Sequence, residues 1–502
     1  MKFSLKKEIE KKKNKEKTYS SIHEKLETSK LLKKKSNFDS HQKSEISEKE
    51  KTLKLSIKEG SLTSVMSGLG GSYISLYALA LKANNLQIGF LTSFSSLFAP
   101  FSQILGSRLM EKYSRKKIII LNVALQAFMW LPILLLSLFF WKNLFSSYLP
   151  IILIVFYSLY AIFGSIAAPS WFSLMGDIVP EKIRGRYFGK RNRISELVVL
   201  ISTLIAAFLL DFFKTKGFLL LGFSIIFFLS FLFRMFSSFL FSKHYEPKFK
   251  LKKKYYFSIF QFIKKAPSTN FGKFAIYIAL IHLAVNIAGP FFAVYMKQDL
   301  NFSYTTFTLA TISASLASII FMPIWGKFSD KYGNLKLLKI GSILIPFLPI
   351  LWLFGKSPYY IALVPQLLGG MGWAAFNLAS FNFIYDAVSR ERRGLCIAYS
   401  NVLSGIGVFL GAGLGGLLAH YLTITFMNKL LFIFLISGIL RFVIFLVFLP
   451  LIKEARKVKK LKESPVFYLK EIAPSKGVVR EVYDGLTNLS KIKNFRKTKF
   501  SF

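Results

Sequence analysis

The chain has 502 residues, 53% of them hydrophobic, with 54 Phe and a mean hydropathy of +0.44. That balance excludes a soluble multidomain fold, and the formal charge of +43 lies in tails and connections rather than on one basic domain, so nucleic acid is not the expected partner. A single cysteine, Cys396, excludes a disulfide and a CxxC metal site, and no cofactor is expected.

Residues 1–57 are rich in Lys, Glu and Ser. They hold no apolar run near Met1, so no cleavable signal is expected. Such a segment buries too little surface to fold alone and reads as a disordered, charged cytoplasmic tail with some helical tendency.

Twelve apolar spans follow, each long enough for a ~30 Å hydrocarbon core. They lie at 60–81, 88–110, 118–140, 149–174, 194–212, 218–241, 274–296, 304–325, 337–354, 358–384, 396–419 and 428–450. The expected fold is all-α and integral to the membrane. It divides into a tail 1–57, a six-helix bundle 58–241, a basic linker 242–273, a second six-helix bundle 274–450 and a basic tail 451–502.

Alternate connections differ in charge. One set holds seven Lys, the other 27 Lys and Arg. The richer set and both termini are therefore expected in the cytoplasm, on a multi-pass protein of the cell membrane. The linker carries LKKKYY, Leu251–Tyr256, which suits either an interfacial segment on anionic lipid or a solvated connection.

Two turns repeat. Ser107–Lys117 (SRLMEKYSRKK) follows the second span and Gly326–Lys336 (GKFSDKYGNLK) the eighth. Glu111, Lys112 and Tyr113 match Asp330, Lys331 and Tyr332, each 219 residues on. A second run repeats at an offset of 209: Asp177, Arg184, Gly185 and Asn192 recur as Asp386, Arg393, Gly394 and Asn401. Arg234 in the sixth span pairs with Arg441 in the twelfth. The fold is therefore one six-span unit written twice in parallel.

At these residues the sequence resembles the major facilitator superfamily of secondary transporters, over roughly residues 60 to 450. Gly326, Asp330, Lys331 and Gly333 fit the family's G-x3-D-R/K-x-G turn. The first copy departs from it, with Ser107 and Ser114 for the glycines and Glu111 for the aspartate. The resemblance implies two bundles of six helices, alternating access, and acids that latch the halves in one state. Glu111 and Asp330 are the expected latch acids and Arg184 and Arg393 their expected partners. Lys112, Arg115, Asp177, Lys331, Gly333 and Asp386 complete the expected gate. The same residues also suit a simpler role, stopping helices and setting topology.

Spans one, four, seven and ten are interrupted by Gly or Pro, at Gly68–Gly71, Gly164 and Pro169, Gly289-Pro290, and Gly369, Gly370 and Gly372. Broken helices mark midplane binding sites, and the resemblance implies that these four line the central cavity. Their polar and aromatic residues are the candidates for substrate contact: Ser67, Tyr73, Tyr77, Tyr160, Ser165, Trp171, Tyr277, His282, Asn286, Gln366, Trp373, Asn377 and Asn382. Tyr and Ser on apolar helices also serve as interhelical contacts. Asn286 and Asn377 lead, because a buried carboxamide is costly without a partner.

Glu196 is the best carboxylate for a proton relay or an arginine partner, with His282 as the second titratable candidate. Arg234 and Arg441 read as intramembrane structural charges. Gly411–Gly416 matches G-x-G-x-x-G formally but lies inside an apolar helix with no preceding strand. Gly407, Gly411 and Gly415 read instead as a close-packing face.

No catalytic constellation appears. The expected function is secondary or facilitative transport of a small organic solute by a monomer, with a proton or ion as candidate coupling partner. Efflux of amphipathic compounds and a non-transporting sensor or scaffold of the same fold stay open.

Overall fold

The structure is a computed structural model that describes residues 47–180, 184–247, 258–389 and 392–455. Most of both expected tails and the middle of the linker lie outside these residues. The described chain forms two compact units. The first holds the residues up to Ala83 and those from Phe94 to 247; the second holds Asn84–Ser93 and the residues from 258 on.

The elements of the first unit are α1 (47–69), α2 (Ile74–Ala80), α3 (Asn85–Leu109, whose start groups with the second unit), α4 (Arg115–Phe128), α5 (Trp130–Trp141), α6 (Leu149–Ile178), α7 (Arg184–Thr215) and α8 (Leu219–Ser242). The second unit has α9 (Ile259–Lys265), α10 (Asn270–Ala288), α11 (Phe291–Val294), α12 (Tyr304–Tyr332), α13 (Asn334–Leu351), α14 (Pro358–Ile361), α15 (Leu367–Ala387), α16 (Arg393–Tyr421) and α17 (Lys429–Phe448). Helices are the form expected of long apolar runs in hydrocarbon, where every backbone N–H and C=O must find its partner within the segment.

Among the described residues, eleven helices are long and apolar enough to cross a membrane, against twelve expected spans. The expected first span, 60–81, is the one missing from that count. It begins as part of α1, which reaches back to residue 47, turns through Gly71–Tyr73 and resumes as α2. The helix thus extends through 47–57, inside the expected tail, because Thr52 and Ser56 face the bundle and are buried.

Three of the four spans expected to be irregular are broken. The seventh changes at Gly289-Pro290 into α11 and then a π-helical turn, Tyr295–Asp299. The tenth carries a π-helical turn at Ala362–Gln366 between α14 and α15. Pro365 lies inside that turn; it has no N–H to donate, and widening the helix accommodates the missing bond. The fourth span is instead one continuous helix, α6, with Pro169 inside it. A lone proline removes one backbone bond, and the surrounding bundle holds α6 together across it.

Each unit has its own aromatic core. In the first, buried Trp130 stacks on Phe227 at 5.2 Å and meets Tyr160 edge-on at 5.0 Å. In the second, Phe292, Trp352 and Phe434 cluster within 4.4–5.9 Å. Gly407, Gly411 and Gly415 on α16 lie against the carbonyls of Ala279, Leu283 and Ile287 on α10. A methyl group at any of them would strike backbone, so the close-packing face is real. Large apolar residues such as Phe208, Phe212, Phe236 and Phe239 point outward and are exposed, as a lipid-facing surface requires.

Candidate functional site

The first unit buries a charged cluster. Glu59 and Thr63 share one face of α1, four residues apart. Thr63 Oγ1 donates to Glu59 Oε1 at 2.8 Å, and Ser237 Oγ on α8 donates to the same oxygen at 3.0 Å. Arg234 on α8 donates through Nε and Nη2 to Gln126 Oε1 on α4 at 2.9 and 2.6 Å, and through Nη1 to Thr63 Oγ1 at 2.6 Å. Its Nη1 lies 3.9 Å from Glu59 Oε1. Arg191 on α7 reaches Glu59 Oε2 from the other side at 3.4 Å and lies over the Trp171 ring at 4.6 Å.

Two arginines around one carboxylate leave this cluster one surplus positive charge if all three are ionised. The glycines make room for it. A Cβ on Gly60 would meet Arg191 Nη2 at 2.7 Å, and one on Gly164 would strike the Gln126 amide. Glu59, Arg191, Arg234 and Trp171 line a cavity of about 260 Å³ within this unit. Beside it, His244 is buried and stacks on Phe241 at 4.8 Å; burial pushes its imidazole below the usual histidine range.

The second unit has a cavity of about 330 Å³, lined by Ser315 and Ser318 of α12, Trp352, Gln366, Trp373 of α15 and Arg441 of α17. Arg441 is 2% exposed. Its Nη1 donates to Ile345 O at 3.1 Å and its Nη2 to Val285 O at 3.3 Å. Among the described residues, no carboxylate lines this cavity.

Three of the expected gate residues, Arg115, Asp177 and Asp386, take part in two matching anchors, one in each unit. Arg115 opens α4 and is fully buried. Its Nη1 donates to Asp177 Oδ2 at 2.6 Å and to Ser173 Oγ at 3.0 Å, and its backbone N–H donates to Glu246 Oε1 at 2.9 Å. Asn334, 219 residues on, opens α13 and donates through Nδ2 to Asp386 Oδ2 at 2.5 Å. Leu335 N–H donates to Glu454 Oε2 at 2.9 Å. In each unit a carboxylate therefore caps a helix start, where free N–H groups favour negative charge.

Asp177 takes Arg115. The side chain of Arg184 lies outside the described residues, and Arg393 donates to Tyr385 O and Val388 O of its own segment and lies over the Tyr385 ring at 4.4 Å. Glu111 and Lys112 sit exposed on the first turn. Asp330 and Lys331 end α12, with Lys331 Nζ over the Tyr332 ring at 4.7 Å. Gly333 has φ +98°, a conformation that favours glycine, whereas Ser114 in the first copy is extended at φ −64° and caps Lys117 N–H. The serine-for-glycine departure follows from that different turn.

Of the substrate-contact candidates, Trp171, Gln366 and Trp373 line a cavity. Tyr73, Tyr77 and Tyr277 are fully buried interhelical contacts: Tyr73 donates to Thr203 O at 2.7 Å, Tyr77 to Ile133 O at 3.0 Å and Tyr277 to Ser342 Oγ at 2.6 Å. Tyr160 hydroxyl meets Met66 Sδ at 3.1 Å. Ser67 donates to Thr63 O at 3.1 Å and Asn286 to His282 O at 2.8 Å, each within its own helix. Asn377 is exposed, and Ser165, His282 and Asn382 are part-buried.

Glu196 is exposed. The carboxylate that meets Arg234 is Glu59, which sequence reasoning missed, as it missed Gln126 and Arg191. The signal was the helical spacing of Leu53, Ile57 and Ser64 with Glu59 and Thr63, which runs the first helix back past residue 60.

The sequence profile of the Major Facilitator Superfamily matches residues 60–281 and 274–500. An uncharacterised MFS-type transporter of Methanocaldococcus jannaschii is 25% identical over 389 residues, covering 76% of this chain and 96% of that one. Multidrug resistance protein 1 of Bacillus subtilis is 24% identical over 125 residues, 25% of this chain and 32% of that protein. Among solved structures, the nucleoside transporter NupG superposes with a TM-score of 0.59 at 17% identity, covering 80% of this chain and 98% of that one. A bacterial homologue of the iron transporter ferroportin, in its inward-facing state, gives 0.59 at 16% identity with the same coverages. At these identities the likeness is one of fold.

Proposed function

The chain belongs to the Major Facilitator Superfamily, and from that premise we propose that it carries a small organic solute across the cell membrane by alternating access, with both termini cytoplasmic. The observation that carries this reading is the cavity of about 330 Å³ in the second unit. It is bordered by the π-helical turn of the tenth span, and it joins polar groups, Gln366, Ser315 and Ser318, to the indole faces of Trp352 and Trp373. That mixture suits a solute with one polar end and a flat or apolar body. The excess of basic residues in alternate connections supports the orientation.

In this reading the Arg115–Asp177 and Asn334–Asp386 anchors keep each turn fixed to its own bundle. Glu111 and Asp330 then act as the state-dependent contacts. The carboxylate that partners the intramembrane arginine of the first unit is Glu59 rather than Glu196. The protein works as a monomer, and its basic segments rest on anionic lipid.

Flux into proteoliposomes tests the proposal, using solutes first selected by thermal stabilisation of the purified protein. Saturable flux that falls in Trp373→Ala and Gln366→Ala supports it. A solute that stabilises the protein yet shows no flux in either direction contradicts it. The partial match to multidrug resistance proteins favours a second reading, efflux of amphipathic compounds. Ethidium extrusion from cells expressing the chain distinguishes the two.

A further inference from the structure

The cavities of the two units differ in charge, and the difference points to a ligand. Arg234 and Arg441 sit at matching places on α8 and α17. Arg234 has Glu59 nearby, and Gln126, Thr63 and Ser237 as further hydrogen-bond partners. Arg441 has two backbone carbonyls and no ion pair among the described residues. Its Nε–H is buried without a hydrogen-bond partner. The side chain lines a cavity with no carboxylate among its described residues.

A structural role accounts for only part of this. Ile345 O would normally accept from the N–H of residue 349, but Pro349 has none, so Arg441 supplies the missing donor. A neutral side chain would serve that carbonyl as well. Carbonyl dipoles leave a formal positive charge uncompensated, and an unpaired buried charge is among the most destabilising features a fold can hold. Within membrane-spanning helices such charges face the bundle interior or a cavity and mark substrate or ion pathways.

We propose that the second-unit cavity binds an anion, a carboxylate or phosphate oxygen carried on a small aromatic or apolar body, with the Arg441 guanidinium as its counter-charge. This rests on the transport reading above and names the substrate class for it. The unpartnered Nε–H and remaining Nη hydrogens give the planar fork that suits a carboxylate or phosphate. Gln366, Ser315 and Ser318 are further polar groups on the lining, and the indoles of Trp352 and Trp373 offer the apolar walls. A solute anion and a lipid headgroup share this chemistry, so the test separates them.

The experiment uses the purified full chain in detergent, stripped of lipid. Thermal stabilisation and titration calorimetry compare benzoate, phenyl phosphate and inorganic phosphate with the neutral counterparts benzamide and benzyl alcohol. Dioleoyl phosphatidylglycerol in mixed micelles is the lipid arm. The wild-type comparison needs no variant. Anions that stabilise more than their neutral counterparts support the site, and equal or absent shifts across all pairs overturn it. Arg441→Gln is expected to weaken the best anion by at least about thirtyfold. Arg441→Lys is expected to recover part of that affinity. Gln366→Leu weakens it without touching the arginine, which guards against a folding defect at 441. Undiminished anion binding in folded Arg441→Gln overturns the proposal.

Stabilisation by phosphatidylglycerol alone assigns the anion to a headgroup and overturns the solute assignment. Flux then distinguishes this proposal from the one it rests on. Binding that needs Arg441 without any flux leaves the anion site standing and removes the transport reading. Flux of neutral solutes with no anion preference does the reverse.

Discussion

Gln126 and Ile345 are 219 residues apart, and each hands an oxygen to the arginine of its own unit. Gln126 gives its side-chain Oε1 to Arg234 at 2.6 Å; Ile345 gives its backbone O to Arg441 at 3.1 Å. The duplicated unit has kept the arginine and its acceptor position while changing the chemistry of the acceptor. Around Arg234 the first unit added a carboxylate. Around Arg441 the second unit left the guanidinium facing a cavity.

Removing the first-unit carboxylate strands the buried Arg234 and the part-buried Arg191. Glu59→Gln is expected to destabilise the protein by about 3 kcal/mol, the usual scale for a broken buried pair. Glu59→Gln combined with Arg234→Gln should cost less than the two single changes added together, by about 1 kcal/mol or more, because the pair is coupled. Cys396 is buried, so the unfolding of each variant can be followed with a thiol-reactive dye. Strict additivity would show that the two residues act independently.

The anchor at the first turn is testable in the same way. Arg115 is fully buried, whereas Asp177 is 45% exposed and partly solvated. Asp177→Asn takes the nearest carboxylate from a fully buried guanidinium and should therefore cost roughly 3 kcal/mol, the lower end for a broken buried pair; Arg115→Gln, which leaves only a half-exposed carboxylate, should cost distinctly less. Equal losses from the two would mean that packing rather than charge sets the effect.

Much of this was legible in the sequence, and the limits have physical causes. The duplicated turns and the glycine face of α16 follow from spacing, which constrains backbone directly. Arg115 as the partner of Asp177 does not: five basic residues crowd the first turn, and only the fold decides which of them is buried. Glu59 was hidden for a different reason. A hydropathy window ends a span where charges begin, and Glu59 lies just outside it, on a helix that continues because its inner face is covered. Three of the four tyrosines expected in the cavity, Tyr73, Tyr77 and Tyr277, are aromatic residues on broken or central helices, yet their hydroxyls serve neighbouring carbonyls and hydroxyls.

The glycine face should be intolerant of any side chain. Gly411→Ala places a methyl group against Leu283 O, and about 1–3 kcal/mol of destabilisation is expected. Gly326→Ala, where a Cβ meets nothing, should be nearly neutral or mildly stabilising. Thermal midpoints of the two variants check the contrast.

His244 gives a pH dependence of stability with a definite sign. Burial is the main cause of its lowered pKa; Lys116 and Arg191 lower it further, while Glu59 and the Leu240 carbonyl oppose them. The unfolded chain then binds the proton more readily than the folded one. Stability is full above the unfolded value of about 6.5 and falls as pH drops from there toward the folded value. His244→Phe should flatten that part of the curve between pH 7.5 and 5.5. An unchanged slope would assign it to other groups.

The central claim is that one pocket is reached from each side of the bilayer in turn, and cysteine accessibility tests it most directly. Gln366→Cys in a Cys396→Ser background is reconstituted into vesicles and exposed to an impermeant maleimide from outside or from inside. The account predicts labelling from both faces, with a transported solute protecting against each. Labelling confined to one face under every condition would contradict it.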